Sequence, residues 1–463
     1  MQSLRSHFTP LLAGLSLLGM VLTPLAPVRA DLVTDWNAEA LTAMSSGTEA
    51  PFVARDLAML NVAIYNAGES LRSGYNTYGF NGYTAPTSGP TGASIEAAMA
   101  TAANTVMQSL YGGSSAAFTS LYDTQMSGVA LGQARDDGIA WGLSIANDIL
   151  AWRSADGSGV AASTPYSPVG TVGYWNQTSP AAALLPGWGN VDTFSIGSTA
   201  GYTSSLPGPL RTDYLATSQY AADYNQVKEL GAQFSLTRTA DQTNQAYFWA
   251  GGEGTVKVPG MWNEIAATAA ATAGLNVFDT ARLFAAMNVA MADAGIAAFA
   301  QAYDVQFWRP ETAIANGGDG FFDNDGNINT EGDIFWLPLI TSPSFPEYAS
   351  AQAAYSAAAA AVLAEYLGDS QSFSLGSDID GNGSIDLTRF FNSFSQAAAE
   401  AAQSGIYAGT QFGTSVTDAQ ALGENVANQV VSNNFALVPE PAGALLVLLG
   451  CAMGLLDRRR TLP

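Results

Sequence analysis

The 463-residue sequence predicts a mainly α-helical protein with long irregular loops. Apolar residues recur every three or four positions in several segments, the spacing that places them on one face of a helix. Hydrophobic residues make up 48% of the chain and charged residues only 12%, which indicates a chain that buries a large core. From Ala155 to Pro209, Gly, Ser, Thr and Pro are dense, and apolar residues keep neither the spacing of a helix nor the alternation of a strand. We expect a long ordered loop there.

The clearest helical segments follow one another along the chain. The first runs from Ile95 to Leu110 and closes near Gly112. Asp279 is expected to cap a long alanine-rich helix that continues to about Tyr303. Two further helices are expected over Ala351 to Leu367 and Ser393 to Ser404. No internal repeat is evident, and we expect the whole body, residues 31–437, to be one domain.

The N-terminal segment has the composition of a secretory signal peptide. Arg5 precedes the apolar stretch from Leu11 to Leu25, and the small residues Val28 and Ala30 stand three and one positions before a cleavage point ahead of Asp31. We therefore assign residues 1–30 to a signal peptide. A retained membrane helix is the alternative, but the apolar stretch is shorter than the roughly 20 residues that a span requires.

The C-terminal 26 residues, 438–463, have three parts in sequence. Val438 to Pro441 reads Val-Pro-Glu-Pro, an apolar run from Ala442 to Leu456 follows, and Arg458 to Arg460 form a basic cluster. This tail resembles the PEP-CTERM sorting signal, which an exosortase reads. The resemblance implies export to the cell surface, outer membrane or extracellular matrix of a Gram-negative bacterium. The alternative is a permanent anchor, and either way the membrane is contacted only through the terminal segments.

Charge and rare residues exclude several functions. The formal net charge is -23, and five of the 16 basic residues lie in the two terminal segments, so the body repels nucleic acid. The single cysteine, Cys451, lies in the tail, and the body therefore forms no disulfide. The single histidine, His7, lies in the leader. The body consequently has no imidazole for acid–base catalysis or metal ligation.

Short motifs occur in a fixed order along the body: Trp36-Asn37, Ala54 to Asp56, Ala63 to Asn66, Arg238-Thr239, Phe248-Trp249, Trp262-Asn263, Ala281 to Leu283, Ala292 to Ala294, Phe307 to Ala313, Phe345 to Tyr348 and Ile406 to Gly409. Together they resemble the vanadium-dependent haloperoxidase family, which is related to the type 2 phosphatidic acid phosphatases. The resemblance implies a helical bundle of the haloperoxidase type. In that family the bundle holds vanadate or a substrate phosphate with one lysine, two arginines, a serine-glycine turn and two histidines.

Part of this anion-binding pattern matches and part does not. Arg309 stands at the position of the first arginine, but Ala302 occupies the lysine position seven residues earlier. Ser350 occupies the serine position, whereas Ala351 and Gln352 replace the glycine and histidine that should follow it. The pocket has therefore lost a cationic donor and an acid–base group. Glutamine has no proton that titrates near neutral pH.

The last motif departs in the same way. Ser404 matches the family serine, but Gly405 replaces the second arginine and Gln411 replaces the final histidine. Two of three cationic donors and both histidines are thus absent, and we expect no catalytic residue in this vestigial oxyanion pocket and no bound vanadate. The surviving Arg309 has a structural interpretation too, as the ion-pair partner of a buried carboxylate such as Asp293 or Glu311.

An acidic loop has the spacing of a calcium-binding loop. Oxygen-bearing side chains recur at alternate positions, with glycine at the sixth: Asp378, Asp380, Asn382, Ser384 and Asp386. Arg389 stands at the twelfth position, where a bidentate glutamate is expected. A calcium site and a solvated turn both remain open. A second acidic run, 323–333, fits less well because Ile328 occupies the turn position.

These observations favour an exported surface or matrix protein whose haloperoxidase-like body has lost haloperoxidase and phosphatase chemistry. The expected partners are exosortase-type sorting machinery and, as a candidate, extracellular matrix polysaccharide. One alternative is an active haloperoxidase-like or acid-phosphatase-like enzyme, in which Arg309, Ser350, Gln352 and Gln411 line a remodelled pocket. Another is a calcium-dependent adhesion module. Calcium is the one cofactor that the sequence leaves as a candidate.

Overall fold

Helices form where the sequence keeps apolar residues at helical spacing. The computed structural model describes residues 32–435 except 46, 73–75, 179, 203–205, 207–210 and 318–324; the expected signal peptide and sorting tail lie outside the described residues. The helices are α1 (Leu32–Met44), α2 (Ala50–Arg72), α3 (Ile95–Leu110), α4 (Ser115–Met126), α5 (Gln133–Arg153), α6 (Ser158–Ala161), α7 (Arg211–Leu215), α8 (Ser218–Leu230), α9 (Ala240–Phe248), α10 (Lys257–Ala273), α11 (Val277–Val305), α12 (Pro310–Ala315), α13 (Ala351–Leu367), α14 (Phe394–Tyr407) and α15 (Gly413–Asn434). The expectation of a mainly α protein is confirmed.

The long helix α11 forms the centre of the bundle. It packs against α2, α13 and α15, and α13 in turn packs against α14 and α15. Among the described residues α11 is the one helix long and apolar enough to cross a membrane, and 94% of its most apolar window is buried inside the protein. Its apolar surface is therefore covered by the other helices of the bundle, as in a core helix.

Serine and asparagine side chains set the starts of the helices that matter for the pocket. Asn276 caps α11 by accepting hydrogen bonds from the N–H groups of Phe278 and Asp279. The expectation that Asp279 itself is the cap is wrong, because it already lies inside the first turn. Ser350 caps α13 through the N–H of Ala353.

The glycine- and proline-rich region is an ordered loop, as expected. Its described residues form only the short helix α6 and two single turns of 3-10 helix, yet they include buried large rings such as Trp175 and Trp188. These rings pack the loop onto the bundle and offset the entropy of ordering so much irregular backbone.

A two-stranded β-hairpin interrupts the helical order between α13 and α14. Strand β1 (Phe373–Ser377) pairs antiparallel with β2 (Leu387–Phe391), with Phe373 opposite Phe391. The connecting loop, residues 378–386, is the calcium-like sequence. The hairpin was not expected from the sequence, because five-residue strands carry a weak alternation signal.

Candidate functional site

Arg309 is completely buried at the N-terminus of α12 and is held by backbone carbonyl groups. Its Nε donates to the oxygen of Phe345 at 2.9 Å, Nη1 donates to the oxygen of Thr410 at 3.0 Å, and Nη2 lies 3.4 Å from the oxygen of Pro346. The Phe345 ring covers the guanidinium, with Cζ 4.5 Å from the ring centroid. The positive charge is therefore surrounded by groups of the chain itself.

Gln411 connects this guanidinium to a buried carboxyl group. In the amide orientation that satisfies both neighbours, its oxygen accepts from Arg309 Nη1 at 2.8 Å and its nitrogen donates to Glu347 Oε1 at 2.8 Å. Glu347 Oε1 also accepts from the backbone N–H of Phe412 at 2.9 Å. With Gln411 included, four of the five guanidinium N–H donors have acceptors within the protein. Little donor capacity is left for an external anion.

Burial is the largest cause of the pKa shifts of both Glu347 and Arg309. It raises the pKa of Glu347 to about 8, with nearby Arg309 opposing the shift. Burial also lowers the pKa of Arg309 to about 10, with Glu347 opposing. At neutral pH the carboxyl group is therefore largely protonated while the guanidinium stays charged. A neutral acid can still accept the hydrogen bonds of Gln411 and Phe412.

The two missing cations cannot be replaced by their neighbours. Ala302 is buried on α11 and its methyl group offers no hydrogen-bond donor. A Cβ atom added to Gly405 would lie 2.7 Å from Cγ of Gln411, far inside van der Waals contact. Gln411 thus occupies the space that a longer side chain at position 405 would need.

Gln352 joins α13 to α14, whereas Ser404 and Ser350 bond to the backbone of their own helices. Gln352 donates both amide hydrogens into α14, to the oxygen of Ala401 and to Oγ of Ser404, each at 2.8 Å. Ser404 donates in turn to the oxygen of Ala401 at 2.7 Å. Ser350 is used as the cap of α13, and Ala351 is its first residue. Ala351, Gln352 and Gln411 lie along one cleft, and Gly405 lies against Gln411, so these residues form one cluster; no contact of Ala302 or Ser350 with Arg309 or Gln411 is described.

A cleft of about 180 Å³ opens beside this cluster. Gln352, Gln411 and Thr410 line one part of it, and Lys257 lines another, whereas Arg309 is not among its lining residues. Sequence reasoning could not place Lys257, because α10 lies roughly 50 residues from Arg309 along the chain and no local motif joins them. The ring of Phe345, which lines the cleft, covers the guanidinium.

The suggested carboxylate partners of Arg309 are wrong. Asp293 is completely buried and accepts instead from three successive backbone N–H groups, those of Phe194 at 2.6 Å, Ser195 at 2.7 Å and Ile196 at 2.9 Å. Burial raises its pKa to about 6 despite these bonds. No ion pair of Arg309 with either Asp293 or Glu311 occurs in the described part of the chain. The carboxyl group linked to Arg309 is that of Glu347, and the link is the pair of hydrogen bonds made by the Gln411 amide.

The hairpin loop brings three carboxylates together. Asp378, Asp380 and Asp386 each offer an oxygen, and these oxygens lie within 4.8 Å of one another. Asp378 also accepts from the N–H groups of Gly381 and Gly383 at 2.8 and 2.7 Å, which lowers its pKa.

The side chain of Arg389 forms ion pairs with residues outside the loop. Its Nε lies 2.5 Å from Glu400 and its Nη1 lies 2.9 Å from Asp241. In the second acidic run, Asp323 lies outside the described residues, and buried Asp325 bonds the hydroxyl of Thr330 at 2.8 Å. The described part of this run is therefore stabilised by hydrogen bonds between its own residues.

The helices and the buried pocket define an all-α bundle protein with a polar cluster at the start of its central helices. The model of the second helical-bundle domain of vanadium chloroperoxidase matches residues 282–439. The vanadium chloroperoxidase of Curvularia inaequalis is 29% identical over 184 residues, which are 35% of this chain and 29% of that protein. This match therefore spans less than a third of the curated relative's length.

Solved structures are similar over nearly the whole body. A structure described as the first bacterial vanadium-dependent iodoperoxidase superposes with a TM-score of 0.74 at 25% identity, over 87% of this chain and 95% of that one. A bacterial vanadium-dependent chloroperoxidase in its holo form shares the fold, with a TM-score of 0.63 at 15% identity over 86% and 95% of the two chains. The chain therefore resembles vanadium-dependent haloperoxidases in fold over most of its length, and in sequence over residues 282–439.

Proposed function

We propose that this protein is an exported cell-surface or extracellular-matrix protein whose haloperoxidase-like body does not carry out haloperoxidase or phosphatase chemistry. The observation that carries the proposal is the internal satisfaction of Arg309, which is held by three carbonyl groups and by Gln411. An incoming oxyanion has to displace these partners, and each charged hydrogen bond that it fails to replace costs about 1.5 to 3 kcal/mol.

The composition of the body supports the same proposal. With its single histidine at position 7, the sequence supplies no imidazole to the described helices. A haloperoxidase or phosphatase of this family needs a group that coordinates or attacks the oxyanion and a group that moves protons. Gln352 and Gln411 do neither, because an amide has no titratable proton near neutral pH.

Turnover assays test the absence of chemistry. The purified protein is incubated with vanadate, hydrogen peroxide and bromide in the presence of phenol red, and separately with p-nitrophenyl phosphate. The vanadium chloroperoxidase of Curvularia inaequalis serves as the halogenation control. We expect no rate above that of the heat-denatured protein; sustained vanadate-dependent bromination or phosphate release overturns the proposal.

Export is proposed from the terminal sequences, with residues 1–30 as signal peptide and 438–463 as a sorting tail read by exosortase-type machinery. A matrix polysaccharide is the candidate partner outside the cell. Deletion of residues 438–463 is expected to move the protein from the surface fraction of its host to the medium. Unchanged retention at the surface would show that the tail does not sort it.

Calcium-dependent adhesion is a second candidate, favoured by the convergence of Asp378, Asp380 and Asp386 within 4.8 Å. Calcium bridging these carboxylates would fix the hairpin loop against its neighbours. We expect calcium to raise the melting temperature of the protein and chelation to lower it, with Asp380→Asn abolishing both effects. Asp241→Asn, which removes an exposed carboxylate outside the loop, is the matched control. Identical melting curves with and without calcium would discard this candidate.

A further inference from the structure

Two opposite charges line the cleft beside Gln411 and do not pair with each other. Lys257 and Glu49 are both lining residues, yet they form no ion pair within 4 Å in the described chain. The ammonium group of Lys257 donates to the oxygen of Gly252 at 2.5 Å, which leaves two of its three hydrogens for another acceptor. Separate opposite charges on one cleft are complementary to a ligand that carries both signs.

The backbone of Lys257 supports a role for its side chain. Lys257 has φ +57 and is the first residue of α10, so a side-chain-bearing residue occupies the left-handed region that favours glycine. Such a conformation in a non-glycine residue is sterically costly and recurs at ligand-binding positions. Glycine would fill the position without this cost, but it would remove the only lysine that lines the cleft.

Gln352 presents an acceptor to the same cleft. Because both of its amide hydrogens are donated into α14, the amide oxygen is the atom left to meet a ligand. Tyr355 also lines the cleft, and its buried hydroxyl has no hydrogen-bond partner among the described residues. The polar wall therefore combines one cation, one carboxylate and an amide oxygen.

A second group of lining residues forms an apolar wall. The rings of Phe299 and Phe345 stack with centroids 4.9 Å apart and planes at 21°, and Leu184 and Val258 extend this wall. The cleft measures about 180 Å³. A cavity of about 150 Å³ holds a benzene ring, so this cleft has room for one branched or aromatic side chain.

We propose that the cleft binds a small zwitterionic α-amino acid with an apolar side chain. Its carboxylate lies on the ammonium group of Lys257, its ammonium group faces Glu49 and the amide oxygen of Gln352, and its side chain packs against Phe299 and Phe345. Binding makes and breaks no covalent bond. The protein thereby senses or stores a ligand in a cleft beside the disused oxyanion pocket, a role that stands whether or not the protein retains oxyanion chemistry.

Calorimetric titration of the purified protein with L-phenylalanine tests the proposal. We expect one molecule bound per chain at millimolar ligand or below. Two analogues each lack one charge: 3-phenylpropionate lacks the ammonium group and phenethylamine lacks the carboxylate. Each is expected to bind about tenfold more weakly or worse, the loss of a charged contact. No binding of phenylalanine, or equal binding of either analogue, overturns the proposal.

Variants locate the binding. Lys257→Gly is expected to stay folded, because glycine suits φ +57, and to weaken phenylalanine binding by about tenfold or more. Glu49→Gln should weaken it as well. Lys228→Gln is the matched control, since Lys228 donates to the oxygen of Glu331 and does not line the cleft. Unchanged affinity in a folded Lys257→Gly protein, shown by its melting curve, contradicts the assignment.

Discussion

Arg55 and Arg309 are both buried, but the protein neutralises their charges in different ways. Arg55 lies 2.7 Å from Asp56 and 2.7 Å from Asp156, and Asp156 also receives Arg153 at 2.8 Å. Arg309 has no carboxylate in direct contact in the described structure and is held by carbonyl groups and by Gln411. The first arrangement is a closed ion-pair network, whereas the second leaves a cation without a direct counter-charge.

This difference indicates different roles for the Arg55 network and for the surroundings of Arg309. A network in which carboxylates face guanidinium groups directly is self-contained and serves the fold. A guanidinium ringed by carbonyl and amide groups is the arrangement expected where an external anion once supplied the negative charge. At Arg309 the amide of Gln411 supplies an acceptor but no charge, because the Glu347 carboxyl group beyond it is largely protonated at neutral pH.

Removing the shared carboxylate should have the largest effect. Asp156→Asn replaces the carboxylate shared by the buried guanidinium groups of Arg55 and Arg153 with a neutral amide; Arg55 keeps Asp56, whereas Arg153 loses its one ion-pair partner among the described residues. Loss of one partner from a buried ion pair costs about 3 to 5 kcal/mol. Chemical denaturation should therefore give a much lower free energy of unfolding. Asp241→Asn, at an exposed pair with Arg389, is the control and should cost less than about 1 kcal/mol. Equal losses in the two variants would refute the buried network.

Breaking the amide bridge should have an intermediate effect. Gln411→Leu substitutes an apolar side chain of similar size and removes one of the two hydrogen-bond partners of Arg309 Nη1 and of Glu347 Oε1. Leaving buried polar groups unsatisfied costs about 1 to 3 kcal/mol each. The measurement is again the free energy of unfolding by denaturant. A change below about 0.5 kcal/mol, the size typical of surface substitutions, would mean that the bridge does not hold the pocket.

The pH dependence of stability should separate Glu347 from Asp156 by sign. The pKa of Glu347 rises from 4.5 to about 8 on folding, so folding takes up a proton between these values. The free energy of unfolding should consequently fall as pH rises from about 5 to 8, by at most about 1.4 kcal/mol per pH unit for this one group. Glu347→Gln should flatten that slope.

Asp156 should act in the opposite direction. Its pKa is lowered from 3.8, with the two arginines overcoming the effect of burial. Its contribution is therefore present above about pH 4 and is lost as pH falls further. Parallel slopes for the wild-type and Glu347→Gln proteins between pH 5 and 8 would contradict the role given to Glu347.

Helical spacing and motif order predicted much of the fold. The segments over α3, α11 and α13 carry long apolar repeats, and their bounds in the structure lie within two or three residues of the predicted ones. The β-hairpin was missed because its strands are five residues long and flank a loop whose acidic spacing suggested a metal site. The start of α11 was misplaced because Asn276 and Asp279 are both good caps, and only the backbone geometry decides between them.

The residues around Arg309 were selected by motif, but their interactions were not predictable. Nothing in the local sequence indicates that Gln411 reaches both Arg309 and Glu347, since the three residues lie 38 to 102 positions apart along the chain. The position of Lys257 in the cleft was not predictable for the same reason. Its side chain joins the cleft only because α10 packs against α13.

The most direct test of the central claim is the vanadium content of the purified protein after incubation with excess vanadate and removal of free ligand by gel filtration. Metal analysis of wild-type and Arg309→Met proteins should give far less than one vanadium per chain in both, because the wild-type guanidinium is already occupied by the chain itself. One vanadium per wild-type chain, lost in Arg309→Met, would contradict the account.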